Sequence, residues 1–238
     1  NASLWANWVN GTAGTAGDLP QATGANQPIV LPWTGANYLY LPAVASNSAT
    51  SPNQSITGNF TATLDLALND YTPAADVTIG GKLSGNNGFD VLWLTTDKIR
   101  LRIGDGVSVT NVDVVAASSF TNGTQHTATI VWEDGVGATF KYDGVTSGSQ
   151  VAAAKTLTNA AVVFTCGTVT SIGKVYDLTV TNSSTTTYYD LDPPSSAETT
   201  TNGATWVSSN GETWTLNNTG ATPAQIVAMQ NEAARKPL

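Results

Sequence analysis

The segment NFTATLDLAL alternates apolar and polar residues without a break, and that period of two confines this part of the chain to β-sheet. Phe60, Ala62, Leu64, Leu66 and Leu68 fall on one side, with Thr61, Thr63 and Asp65 on the other. Such a strand wants one dry face and one wet face, the condition of an antiparallel sheet packed on one side. The pattern returns in KIRLRI, with Ile99, Leu101 and Ile103 inward, and in HTATIVW, where His126, Ala128, Ile130 and Trp132 share a face. FDVLWLTT is apolar nearly throughout, which predicts a central strand covered on both sides.

Shorter strands follow from ANYLYLP, VTIGGKL, VSVT, AAVVFTCGTV, KVYDLTVTN, TTYYDLD, ATWVSS and ETWTLNN. Gly-containing turns such as GDG and EDGVG separate several of them, because glycine supplies the positive φ of tight hairpins. About twelve to fourteen short strands at this spacing predict an all-β sandwich or barrel. A chain of 238 residues is long for an average domain, yet sandwiches of this size form single units.

The two ends read differently. Residues 1–36 are irregular, but they carry Trp5, Trp8 and Trp33 among small polar residues. A free tail has no use for three tryptophans, so they predict an arm that docks on this domain or on a neighbouring subunit. Residues 37–238 then form one sandwich domain. Near the C-terminus, Thr222 suits an N-cap and Pro223 the first helical position, predicting a short helix over 223–235. Ile226, Met229 and Ala233 share its apolar face, a lid for the sandwich or a docking element for a partner. The chain starts at Asn1 with no signal-peptide pattern and no initiator Met, as expected of a processed product or an excised part.

Charge narrows the partners. Only 11% of residues are charged and the formal net charge is −8, a surface that repels nucleic acid and anionic membranes. Lys98, Arg100 and Arg102 make the one local basic run, and their spacing predicts a solvated strand face. No segment approaches the roughly 20 apolar residues of a membrane-spanning helix.

Catalytic chemistry finds little to work with. The single histidine, His126, sits mid-strand on an apolar face, which favours a structural role over a general base. Cys166, the only cysteine, lies in an apolar run that predicts a buried thiol and rules out an internal disulfide. The four glutamates (Glu133, Glu198, Glu212, Glu232) are scattered, and no E-x-D-x-x-E strand of the sandwich glucanases is present. Asp105, Asp134, Asp143 and Asp190 lie at turns, where calcium is conceivable, but turn chemistry accounts for them and no cofactor is called for. The chain is therefore read as non-enzymatic. Tyr71, Tyr188, Tyr189 and Trp206, near turns or loops, are the aromatics that could stack on a sugar.

The stretch FDVLWLTTDKIRLRIGDG…FTNGTQHTATIVWEDGVGATFKYDG resembles a laminin-G-like, concanavalin A-like jelly roll. The resemblance rests on the polar turn at Asn122-Gly123, then Gln125-His126, the alternating strand Ala128 to Trp132, and the turn Tyr142-Asp143-Gly144. Gln125 stands where such domains more often have Trp, and the resemblance implies a structural His126. LALNDYTPAADVTIGGKL, KVYDLTVTN with YYDLDPP, Gly211 to Leu216, and Ala224 to Val227 are similar, in that order, to sandwiches of bacteriophage tail and virion-surface proteins. That likeness spans residues 37 to 228 and leaves the arm outside. It implies a two-sheet antiparallel jelly-roll sandwich on the surface of a virion, in the tail, a fibre or a head decoration. Its partners would be other virion proteins and further copies of itself, with host-surface carbohydrate as the lectin-like alternative and glycoside hydrolysis a more distant one.

Overall fold

Alternation in residues 60–68 becomes the strand it predicts: Phe60, Ala62, Leu64, Leu66 and Leu68 are buried, while Thr61, Thr63 and Asp65 are half-buried. The computed structural model describes residues 37–41, 47–96, 98–115, 120–168, 173–182, 186–193 and 202–217. The expected arm over 1–36, with Trp5, Trp8 and Trp33, and the expected helix over 223–235 lie outside the described residues.

Sixteen strands form among the described residues. In chain order they begin with β1 (Leu39–Leu41), β2 (Ser48–Ser51), β3 (Phe60–Leu68), β4 (Val77–Gly81), β5 (Asn87–Trp93), β6 (Lys98–Asp105), β7 (Val109–Val115) and β8 (His126–Glu133). They continue with β9 (Gly137–Tyr142), β10 (Val145–Thr146), β11 (Val151–Ala152), β12 (Phe164–Thr168), β13 (Gly173–Asn182), β14 (Thr187–Asp190), β15 (Thr205–Val207) and β16 (Thr213–Asn217). Two eight-stranded sheets result. The first is ordered β1-β13-β3-β8-β9-β10, with β14 beside β13 and β11 beside β9; the second is β15-β16-β2-β12-β4-β5-β6-β7. Every pairing is antiparallel. The molecule is an all-β jelly-roll sandwich.

Aromatic rings link the two sheets. Phe60 of the first stacks on Phe89 of the second with ring centroids 4.4 Å apart, and Phe164 of the second meets Tyr189 of the first at 4.3 Å. Each buried ring contributes about 1.5–3 kcal/mol by leaving water, and an aromatic pair about 0.5–1.5 kcal/mol more. Strand β5 is central, as its composition predicts. Phe89, Val91 and Trp93 enter the core, and on its other face Asp90 and Leu92 are still only 5% and 7% exposed.

Hairpin β9–β10 turns on Asp143 and Gly144, both at positive φ (47° and 80°), the backbone that a two-residue turn with right-handed twist requires. The sequence gives no periodic signal over residues 153–159 and puts 160–163 in the strand AAVVFTCGTV, but that strand starts only at Phe164, and residues 153–163 form a strap from one sheet to the other. At the first sheet, Ala153 N–H donates to Val136, Lys155 C=O accepts from Gly135, and Leu157 N–H donates to the Asp134 carboxylate. At the second, Thr158 N–H donates to Gly104 and its carbonyl accepts from Gly88. The Lys155 ammonium reaches Asp105 Oδ2 at 2.6 Å.

Candidate functional site

His126, Cys166 and Glu212, three described residues with intrinsic reactivity, are engaged in holding the fold. His126 Nδ1 lies 2.8 Å from Asp143 Oδ2, and its ring packs against Phe120 and Tyr71. Burial raises the Asp143 pKa, but the Thr127 N–H and His126 outweigh it and hold the carboxyl below the usual range. Cys166 is fully buried in the core, and burial pushes its thiol up to about 12, far from a thiolate nucleophile.

Glu212 is also buried. Its carboxylate accepts hydrogen bonds from Trp214 Nε1, the Asp190 N–H and Asn210 Nδ2, and burial raises its pKa above the ordinary value. The turn aspartates behave as turn residues. Asp105 accepts from the Val107 and Ser108 N–H groups, Asp134 from Leu157 N–H and Trp132 Nε1, and Asp190 from Ser209 Oγ. Among the described residues, no three His, Cys, Asp or Glu side chains converge as a metal site.

Of the four aromatics expected to offer sugar platforms, three are buried and Tyr188 is half-buried. Tyr71 is 1% exposed, and its hydroxyl donates to the Leu66 and Thr124 carbonyls while the ring packs on Trp93 and Phe120. Tyr189 is fully buried, with its hydroxyl donating to Pro52 C=O and accepting from Gln54 N–H. Trp206 stacks on Trp214 and donates to Leu191 C=O. Tyr188 is half-buried against the core. Tyr71 lies in the loop after β3, Tyr189 in β14 and Trp206 in β15, and all three rings are buried.

A concave site lies elsewhere, on the outer face of the second sheet. Cross-strand neighbours there run Thr215, Thr50, Thr165, Gly81, Asp90, Arg102, Asn111, one residue from each of seven adjoining strands. A cavity of about 310 Å³ opens over the middle of this row. Thr78, Gly81, Asp90 and Thr165 line its floor, with Val162 and Val163 of the strap and Ser84 around it. Gly81 is obligatory, since a Cβ there would sit 2.3 Å from the Asp90 Cβ. The Asp90 side chain is 8% exposed and receives Arg102 through Nε at 2.7 Å and through Nη2. The basic run therefore does occupy a solvated strand face, as expected, but two of its members are tied down. Arg100 forms a second two-point pair with Asp113, and the carboxylates raise both arginine pKa values.

Lys82 borders the same cavity and is 2% exposed. Its ammonium donates to Asn159 Oδ1 at 2.9 Å, to Asn53 Oδ1 and to Gln54 C=O, and burial lowers its pKa to about 8. Sequence inspection misses this site. A signal was present in Asp90, an acid inside an otherwise apolar central strand, and in Arg102, which period-two counting places on an outer face.

No known protein family's sequence profile matches the chain, and no curated protein matches it. Solved structures do. Mouse laminin α1 chain domains LG4-5 align with a TM-score of 0.47 at 13% identity, covering 67% of this chain and 44% of that one. The chain thus spans less than half of the laminin fragment. The SAP-like pentraxin of Limulus polyphemus aligns at 0.42 and 11% identity, over 61% of this chain and 75% of that one. The CBM40 of the Ruminococcus gnavus IT-sialidase, bound to α2,3-sialyllactose, aligns at 0.45 and 10% identity, over 61% and 92%. These are likenesses of fold. The sandwich itself rests on the strand pairings of this chain.

Proposed function

We propose that this chain is a non-catalytic interaction module on the surface of a bacteriophage particle, in the tail, a fibre or a head decoration, where it assembles with other virion proteins and with copies of itself. The observation that carries the reading is the engagement of its reactive groups. His126, Cys166 and Glu212 are each committed to packing or to hydrogen bonds inside the scaffold. The ordered run of phage-like motifs from residue 37 to 228 supports the virion setting, and Trp5, Trp8 and Trp33 supply the arm with apolar anchors. Deletion of residues 1–36 tests it. The truncated protein should keep its β circular-dichroism spectrum and lose self-association and binding to particles. Unchanged association and particle binding would sink the assembly role.

A second reading, a lectin-like module for host-surface carbohydrate, is favoured by the cavity over Gly81, whose lining combines the side chains of Thr78, Thr165, Ser84 and Asp90 with an aliphatic wall. A screen of the intact protein on a glycan array addresses it directly.

A further inference from the structure

We infer that the groove over Gly81 is a binding site for the end of a neutral saccharide, held by the Thr78 and Thr165 hydroxyls and by the Asp90 carboxylate that Arg102 fixes in place. The inference deepens the lectin-like reading and rests on it. Its first support is a set of polar groups without partners. The hydroxyls of Thr78, Thr165 and Ser84 make no hydrogen bond among the described residues, although they border one cavity. A hydroxyl both donates and accepts, and so pairs readily with another hydroxyl.

Asp90 adds a fixed acceptor to the lining. Arg102 stands outside the lining and grips Asp90 through Nε and Nη2. Each Asp90 oxygen takes one of these bonds and keeps further acceptor capacity. Because the carboxylate is gripped at two points, its direction is set before a ligand arrives, and less ordering is needed on binding. Two adjacent sugar hydroxyls can donate to its two oxygens.

Shape and charge choose within the class. The volume, about 310 Å³, lies at the lower end of small-molecule pockets, which suits one ring and not a long chain buried lengthwise. Val162 and Val163, the latter 51% exposed, give an aliphatic wall for the C–H face of that ring. The Asp90–Arg102 pair cancels its own charge, the Lys82 ammonium at the cavity border is spent on Asn159, Asn53 and the Gln54 carbonyl, and the net charge of −8 works against an anionic ligand.

The test starts with the intact protein on an array of neutral and acidic glycans, followed by titration of the best binder. Thr165→Phe fills the groove, and the Thr78→Val/Thr165→Val double variant removes two hydroxyls at nearly constant shape. Both positions face outward, so the folded state is checked by circular dichroism and thermal unfolding. The expected result is a neutral glycan bound by the parent, at least tenfold more weakly by the double variant and undetectably by Thr165→Phe. If Thr165→Phe unfolds, the double variant decides alone. Failure of the parent to bind any glycan overturns both the lectin-like reading and this site. Binding that survives in the folded variants overturns the site and leaves the lectin-like reading standing, and preference for acidic glycans overturns the neutral class.

Discussion

The Lys82 ammonium donates to the Asn159 carboxamide oxygen at 2.9 Å, joining the end of β4 to a strap that arrives from the opposite sheet. Asn159 Oδ1 also accepts from the Ile56 N–H, so one carboxamide gathers three segments. No carboxylate is among the hydrogen-bond partners of this lysine, which are two carboxamides and one carbonyl.

A pH dependence follows. Burial lowers the Lys82 pKa from 10.5 to about 8. Between those values the unfolded chain binds the proton and the folded one has released it, so stability from this group rises with pH across that window. Thermal midpoints of the parent and Lys82→Met between pH 7 and 10.5 check this. The parent should gain on the variant as pH rises. At pH 7, Lys82→Met should lose about 1–3 kcal/mol, because its oxygen partners are left unsatisfied in a buried place.

Glu212 gives a second case. It joins β16 to the end of β14 through Trp214 Nε1 and the Asp190 N–H, and it is 8% exposed. Replacement by Ala removes the acceptor of the Asp190 N–H and one of two acceptors of the buried Trp214 Nε1, which keeps the Asp190 carbonyl at 2.8 Å. We expect Glu212→Ala to cost about 2–3 kcal/mol, read as a fall in Tm of about 2–4 °C per kcal/mol for a domain of this size. Glu212→Gln keeps a carbonyl oxygen and should recover part of the loss. An Ala variant as stable as the parent would remove Glu212 from the scaffold.

Tyr71 distinguishes core from platform. Its hydroxyl proton is shared between two carbonyls, Thr124 at 2.9 Å and Leu66 at 3.1 Å. Tyr71→Phe should destabilise by about 1–2 kcal/mol in denaturant titration while leaving any glycan affinity unchanged. Lost affinity with unchanged stability would return Tyr71 to the binding surface.

The parts of this fold that alternate are the parts that sequence inspection recovers. In β3, β6 and β8 one face is dry and one wet, so hydrophobicity alone places Leu64, Leu101 and Ile130 inward. The burial of Tyr71, in a loop, and of Tyr189, in β14, escapes the same inspection because a nearby turn signal shows where the chain reverses, not which way a ring beside it points. Their hydroxyl partners include Thr124 and Pro52, 53 and 137 residues away. The strap is invisible over 153–159, and read as strand over 160–163, for a related reason. Its order comes from carbonyls and carboxylates of distant turns, and carries no periodicity of its own. The groove is half legible: alternation assigns Arg102 to an outer face, but only strand order brings Asp90 and Thr165 to either side of Gly81.

Asp177 closes the set. It lies directly across from Asp65 on the first sheet, next to a register shift in β13, and is half-buried. Burial raises its pKa to about 6, with Asp190, Asp65 and Asp192 adding to the effect. Here the folded value lies above the ordinary 3.8, so between pH 3.8 and 6 the folded state holds the proton more tightly than the unfolded one. Stability from this group therefore falls as pH rises through that window, and the full penalty applies above it. Asp177→Asn keeps the size and removes the charge. Its Tm should match the parent near pH 4 and exceed it above pH 6, and parallel Tm curves across that range would show that Asp177 ionises without strain.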